Sequence, residues 1–337
     1  MKTLPLFPLI PSEFLLPSLF PDYNPGTPLI AGDVLLHTEN AVYTADGRYF
    51  VIGQHKDPHW GWGLYELHKN RSGYEVSQIV SGTLNVGSSE YDGWFHGLTT
   101  DGRYLYATCA VHLEGKPTKT DYGALFRVLP TAHPVEVSVA YYQPDEVHSY
   151  NGMAVGADGA IYMTNSSAMY DRSMVAIYRV AVTESGPFDI TISPWLLANP
   201  LRDTVPNGLQ VTGNVMYYVA GKALFKIEMS AHGPSTPIQI YHASIPTNIL
   251  DDFVVLPDGR VAIAEIDFVS SLLGLPGIGI NQIVIVDTHK HILNKRSVVT
   301  SPYTVSSLAY EEGDLFSRGT LIGTSWFGGG IREFDVL

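Results

Sequence analysis

The stretch DGRYFVIGQ (46–54) is a tight-turn dipeptide followed by an apolar strand, and the chain repeats it. The other copies are DGRYLYATC (101–109), DGAIYMTNS (158–166), TGNVMYYVA (212–220), DGRVAIAEI (258–266) and RGTLIGTSW (318–326). Their glycines, Gly47, Gly102, Gly159, Gly213, Gly259 and Gly319, recur at a period of about 55 residues that spans the chain. A second short strand precedes each turn: NAVYT, HGLTT, NGMAV, NGLQV, DFVVL and SSLAY. Two strands joined by a turn of this kind form a β-hairpin. Further alternating segments follow each pair, such as LYELHKN and ALFRVLP, and no long amphipathic helix interrupts them. Six units of four antiparallel strands predict an all-β, six-bladed β-propeller.

The remaining composition agrees with one large all-β domain over residues 1–337. The hydrophobic fraction is 45%, enough for a core, and the charged fraction of 16% is low. A net charge of −13 excludes a nucleic-acid surface, which needs clustered Lys and Arg. It fits a small-molecule or cation-binding protein. Cys109 is the only cysteine, so neither an internal disulfide nor a CxxC zinc site is expected. Residues 1–20 are apolar, but Pro5, Pro8, Pro11, Pro17 and Glu13 break any helix there. Residues 1–32 are therefore read as an arm that packs on the propeller. No run of 18 apolar residues predicts a transmembrane helix. A cytoplasmic home is expected, with secretion as the alternative that the apolar, Pro-rich N-terminus, read as a cleaved signal, and two sequons, at Asn70 and Asn165, leave open.

In a propeller the first strand of each blade lines the central channel. The turn lies on the bottom face, and the start of the first strand shares the top with the end of the second. The blades begin near Glu39, His96, Asn151, Asn207, Asp251 and Ser306. Turn chemistry accounts for one or two such polar residues, not for five at one repeat phase. Two carboxylates and two carboxamides, Glu39, Asp251, Asn151 and Asn207, make a hard oxygen cage at the top of the channel. Such donors suit one axial Ca²⁺ better than zinc.

The top loops carry large aromatic residues. They include Trp60 and Trp62, with His55 and His59 beside them, Trp94 and Phe95, Tyr170, Phe268 and Trp326. His112 follows the second strand of blade two. Trp60, Trp62, Phe95, Tyr170, Phe268 and Trp326 are assigned to a hydrophobic small-molecule substrate. His55 and His59 are read as rim residues rather than metal ligands. The uncharged, apolar loop 269–280 is expected to close part of the mouth.

Five fragments carry a resemblance: Thr38-Glu39-Asn40, Phe95-His96-Gly97-Leu98, Asn151-Gly152-Met153-Ala154-Val155, Pro206-Asn207-Gly208-Leu209 and Asp251-Asp252-Phe253. In this order the chain resembles the paraoxonase/arylesterase group and the related gluconolactonase and strictosidine-synthase-like propellers. The resemblance implies a catalytic calcium on Glu39, Asn151, Asn207 and Asp251, with Asp252 as a further ligand. It implies His96 as general base and His112 as its partner in a dyad. A second, structural calcium of that group uses acidic residues where this chain has Asn40 and Gly152, so the resemblance does not carry that ion over. Two activities follow as expectations. One is calcium-dependent hydrolysis of a hydrophobic ester or lactone. The other is a non-hydrolytic cyclisation of a reactive polyketide or terpenoid oriented in the same pocket. A non-catalytic binding propeller is disfavoured, because buried carboxylates need a cation.

Overall fold

A computed structural model describes residues 26–32, 34–57, 61–86, 89–111, 122–142, 150–166, 175–183, 188–199, 204–243, 245–267, 281–288, 296–301, 304–310, 315–316, 319–325 and 330–335. These residues form six antiparallel sheets arranged as a six-bladed β-propeller and a separate two-stranded sheet of Thr83–Val86 and Ser89–Asp92, and none of them is helical. The inner strands of blades one to six are Leu35–Tyr43, Trp94–Thr100, Tyr150–Val155, Pro206–Thr212, Asn248–Val255 and Val305–Tyr310. Each pairs with the strand that follows its turn: Tyr49–His55, Leu105–Val111, Ile161–Asn165, Val215–Ala220, Val261–Asp267 and Leu321–Ser325. The six turn glycines all have positive φ, from 60° at Gly213 to 88° at Gly102, the left-handed turn conformation that a side chain disfavours. The repeat in the sequence is thus a repeat of hairpins.

Blade six departs from the sequential pattern. Its first three strands are Val305–Tyr310, Leu321–Ser325 and Ile331–Phe334, and its fourth is Thr27–Ile30 from the other end of the chain. Thr27 pairs with Glu333 and Ile30 with Ile331, so the two ends close the ring in one sheet. Residues 1–25 of the expected arm lie outside the described residues.

The core lies between blades. Phe50, Ile52 and Leu64 of blade one pack on Phe95, Leu98, Ala107 and Phe126 of blade two. Similar apolar clusters fill the other five junctions. Side chains alternate along a strand, so every second residue of a blade enters one of its two flanking cores. Cys109 is buried in the first of these clusters, where loss of solvent pushes its thiol well above the usual range. Asn165 is fully buried, its amide donating to the Val175 carbonyl, so the second sequon is closed to a glycan; Asn70 is exposed. Among the described residues no helix is long and apolar enough to cross a membrane.

Candidate functional site

All six inner strands carry a β-bulge at the same level. In blade one the register steps from Thr38↔Gly53 to Ala41↔Val51, so Glu39 and Asn40 face a single partner residue. The same break brackets His96-Gly97, Asn151-Gly152, Asn207-Gly208, Asp251-Asp252 and Ser306. A bulge adds a residue, bends the strand and re-aims a side chain. Here it places Glu39, His96, Asn151, Asn207, Asp251 and Ser306 at the equivalent register step of all six inner strands. These residues do not begin their strands, as the spacing implied, but sit one to four residues inside them. The signal for a bulge was present in the sequence as a polar residue followed by Gly97, Gly152 and Gly208.

Those glycines let the blades approach one another. A Cβ on Gly152 would lie 2.4 Å from the Asn207 carbonyl, and one on Gly97 would lie 2.4 Å from the Asn151 carbonyl. Hydrogen bonds complete the ring. Thr324 donates to the Glu39 carbonyl (2.6 Å), and Asn40 Nδ2 donates to the His96 carbonyl (2.6 Å). Thr164 donates to the Asn207 carbonyl (2.6 Å), and Asn207 Nδ2 donates to Asp251 Oδ1 (2.6 Å). Ser307 donates to Asp252 Oδ2 (2.6 Å) from blade six. Sequence reasoning missed Thr164, Thr324 and Ser307, because only the sheet register shows that they adjoin the bulges.

Electrostatics mark this ring as a site. Asp251 and Asp252 are each 8% exposed, and Glu39 is half-buried. Burial first, then repulsion from Asp251 and Asp252, holds the Glu39 carboxyl well above the usual carboxylate range. Burial and the neighbouring Asp252 push Asp251 up to about 8, against the pull of the Asn207 amide. Burial pushes Asp252 up to about 6, although Ser307 and the Phe253 amide hydrogen-bond to it. Among the described residues no basic side chain is paired with any of the three.

The donor types suit a hard cation: three carboxyls and two carboxamides share one register level of the inner strands, and among the described residues no ion pair neutralises the carboxyls. Among the described residues no group of three or more His, Cys, Asp or Glu side chains is itself set to hold an ion. The three carboxyls alone therefore do not make such a site, and the Asn207 carboxamide is turned with its nitrogen onto Asp251. Half a turn of that amide presents oxygen instead.

A cavity of about 460 Å³ opens between blades one and two, and no residue of the ring lines it. His37 and Trp94 line it, two residues along the strands from Glu39 and His96. Trp62 stacks between them, its ring centroid 6.2 Å from His37 and 5.9 Å from Trp94. Gln54, His55, Lys56, Thr83 and Asp92 supply polar groups. Trp62 and the rim residue His55 are therefore at the cavity. Phe95 is not on the wall: it is fully buried in the core between blades one and two, against Phe126, because alternation turns it away from Trp94 and His96. His96 is half-buried in the ring. His112, Trp60, Tyr170, Phe268, Trp326 and the loop 269–280 lie outside the described residues.

No family model matches the sequence, and no curated protein matches it. Solved structures do. A gluconolactonase from Xanthomonas campestris aligns over 92% of this chain and 98% of its own, at 14% identity and a TM-score of 0.52. The calcium-binding protein regucalcin from Agrobacterium tumefaciens aligns over 92% and 93%, at 14% identity and a TM-score of 0.54. The chain shares their fold. At this identity the likeness is one of architecture, the six-bladed propeller.

Proposed function

We propose that this propeller is a calcium-dependent hydrolase of a hydrophobic ester or lactone. One observation carries the reading: Glu39, Asn151, Asn207, Asp251 and Asp252 stand in aligned bulges of the inner strands, with raised carboxyl pKa values and, among the described residues, no paired basic side chain. Two proteins of the same fold, one a gluconolactonase and one a calcium-binding protein, support it. When bound, a calcium ion would polarise the substrate carbonyl and steady the oxyanion.

The chain's own residues supply the rest. The five donors hold the ion and are in turn held by the hydrogen bonds that join the blades. His96, in the same ring, accepts a proton from the attacking water as its oxygen adds to the carbonyl carbon. The carbon–oxygen bond to the leaving alcohol then breaks, and that proton passes to the alcohol oxygen. His112 orients His96 in this reading. Trp62 and Trp94 bind the apolar part of the substrate in the cavity, and substrate contact by Trp60, Tyr170, Phe268 and Trp326 belongs to the same proposal.

A panel of aryl esters and lactones, assayed before and after removal of calcium, tests the proposal. Hydrolysis that is lost with chelation and restored by calcium supports it. Hydrolysis indifferent to the ion, or none across the panel with calcium bound, overturns it.

A further inference from the structure

Thr164 occupies a position that no other described residue of the ring duplicates. It is fully buried on the second strand of blade three, directly opposite the bulge at Asn151-Gly152. Its hydroxyl accepts a hydrogen bond from the Gly152 amide at 2.8 Å and donates one to the Asn207 carbonyl at 2.6 Å. Thr108 makes the first kind of bond, to the Gly97 amide at 3.0 Å. Thr324 makes the second kind, to the Glu39 carbonyl. Thr164 makes both, and so joins the bulge of one carboxamide to the bulge of the other. The missing side chain of Gly152 brings the Asn207 backbone close enough for a single hydroxyl to span the gap.

We propose that Thr164 is a positioning residue: it sets the separation of the Asn151 and Asn207 side chains and thereby the ring's affinity and size preference for a divalent cation. The inference rests on the metal reading of the ring. Calcium binds oxygen at about 2.3–2.6 Å and magnesium at about 2.0–2.1 Å, so a change in donor spacing alters the ratio of their affinities. A hydroxyl that only filled space would leave that ratio alone.

Calorimetric titration of the metal-free protein with calcium, and separately with magnesium, tests it. Thr164→Val keeps the shape and removes the bridge. It is expected to weaken calcium binding at least about tenfold, the range seen when residues behind metal ligands are lost, and to shift the calcium-to-magnesium ratio. Thr164→Ser keeps the bridge and stays within about threefold of wild type, below that range. Thr108→Val, which removes an equally buried hydroxyl that reaches no second bulge, does the same. If the valine variant does not fold, Thr164→Cys, a weak donor, is held to the same threshold. Wild-type affinity and ratio in the valine or cysteine variant overturn the inference alone, as does a serine variant as weak as valine. A wild-type protein that binds no calcium overturns the metal reading and this inference with it.

Discussion

Asp251 and Asp252 are neighbours in one bulge, and their burial has a measurable consequence. Asp251 rises from an ordinary 3.8 to about 8, Asp252 rises to about 6, and Glu39 is raised with them. A carboxyl whose pKa is raised by folding favours the folded state while it is protonated. That contribution is complete below about pH 4, the unfolded pKa. It is lost as pH climbs through 6 and 8. The metal-free protein is therefore expected to melt at least about 2 °C lower at pH 8 than at pH 5.5. Calcium should restore the difference at pH 8 and do little at pH 5.5, where protons occupy the donors. Scanning calorimetry checks this; a flat profile in the metal-free form would show that the carboxyls are not buried together in the ring. His96 gives a second residue-scale test. His96→Gln should reduce turnover at least about 100-fold while calcium affinity holds, because the base is lost and the ion's ligands are not. Undiminished turnover removes His96 from the mechanism.

At the scale of the strand, the bulge is the unit that makes the site. Without it, strict alternation would turn every second residue into the core between blades, and Asp251 and Asp252 would face opposite ways. The bulges stand on close approach between neighbours. Gly152→Ala places a methyl 2.4 Å from the Asn207 carbonyl and 2.5 Å from the Leu209 amide, both backbone atoms that have little room to yield. The substitution should destabilise the protein by about 1–3 kcal/mol, the usual range for an overpacked site. It should also weaken calcium binding, since the displaced peptide is that of Asn207, a proposed ligand. Urea denaturation and calcium titration of the variant read the two effects separately. Wild-type behaviour in both would mean that the blades are not in contact at this level.

For the whole molecule, closure depends on four residues from the far end of the chain. Thr27–Ile30 supplies the outer strand of blade six, Ile30 is 4% exposed, and Arg332 donates to the Gly26 carbonyl. A propeller whose last blade lacks its outer strand exposes an edge and the apolar side chains beneath it. Deleting residues 1–34 should therefore lower the melting temperature by several degrees, since a buried isoleucine alone contributes about 1.5–3 kcal/mol. An unchanged melting temperature would mean that the closing strand carries no stability.

The turn glycines at a regular period were enough to count the blades, because a hairpin is a local structure whose turn needs a left-handed residue wherever it occurs. The polar ring was legible for the same reason: a periodic fold brings equal phases to one axis, so Glu39, His96, Asn151, Asn207 and Asp251 could be named before any coordinates. Three things were decided only in the tertiary structure. Ile30 finds Ile331 across the whole length of the chain, a pairing that no local pattern encodes. Phe95, between Trp94 and His96, turns into the core between blades one and two, a face that only the neighbouring blade defines. Thr164 reaches Asn207 across a blade junction, and Asp251 loses its ordinary acidity there, because burial and close approach between distant segments arise only when the ring is closed.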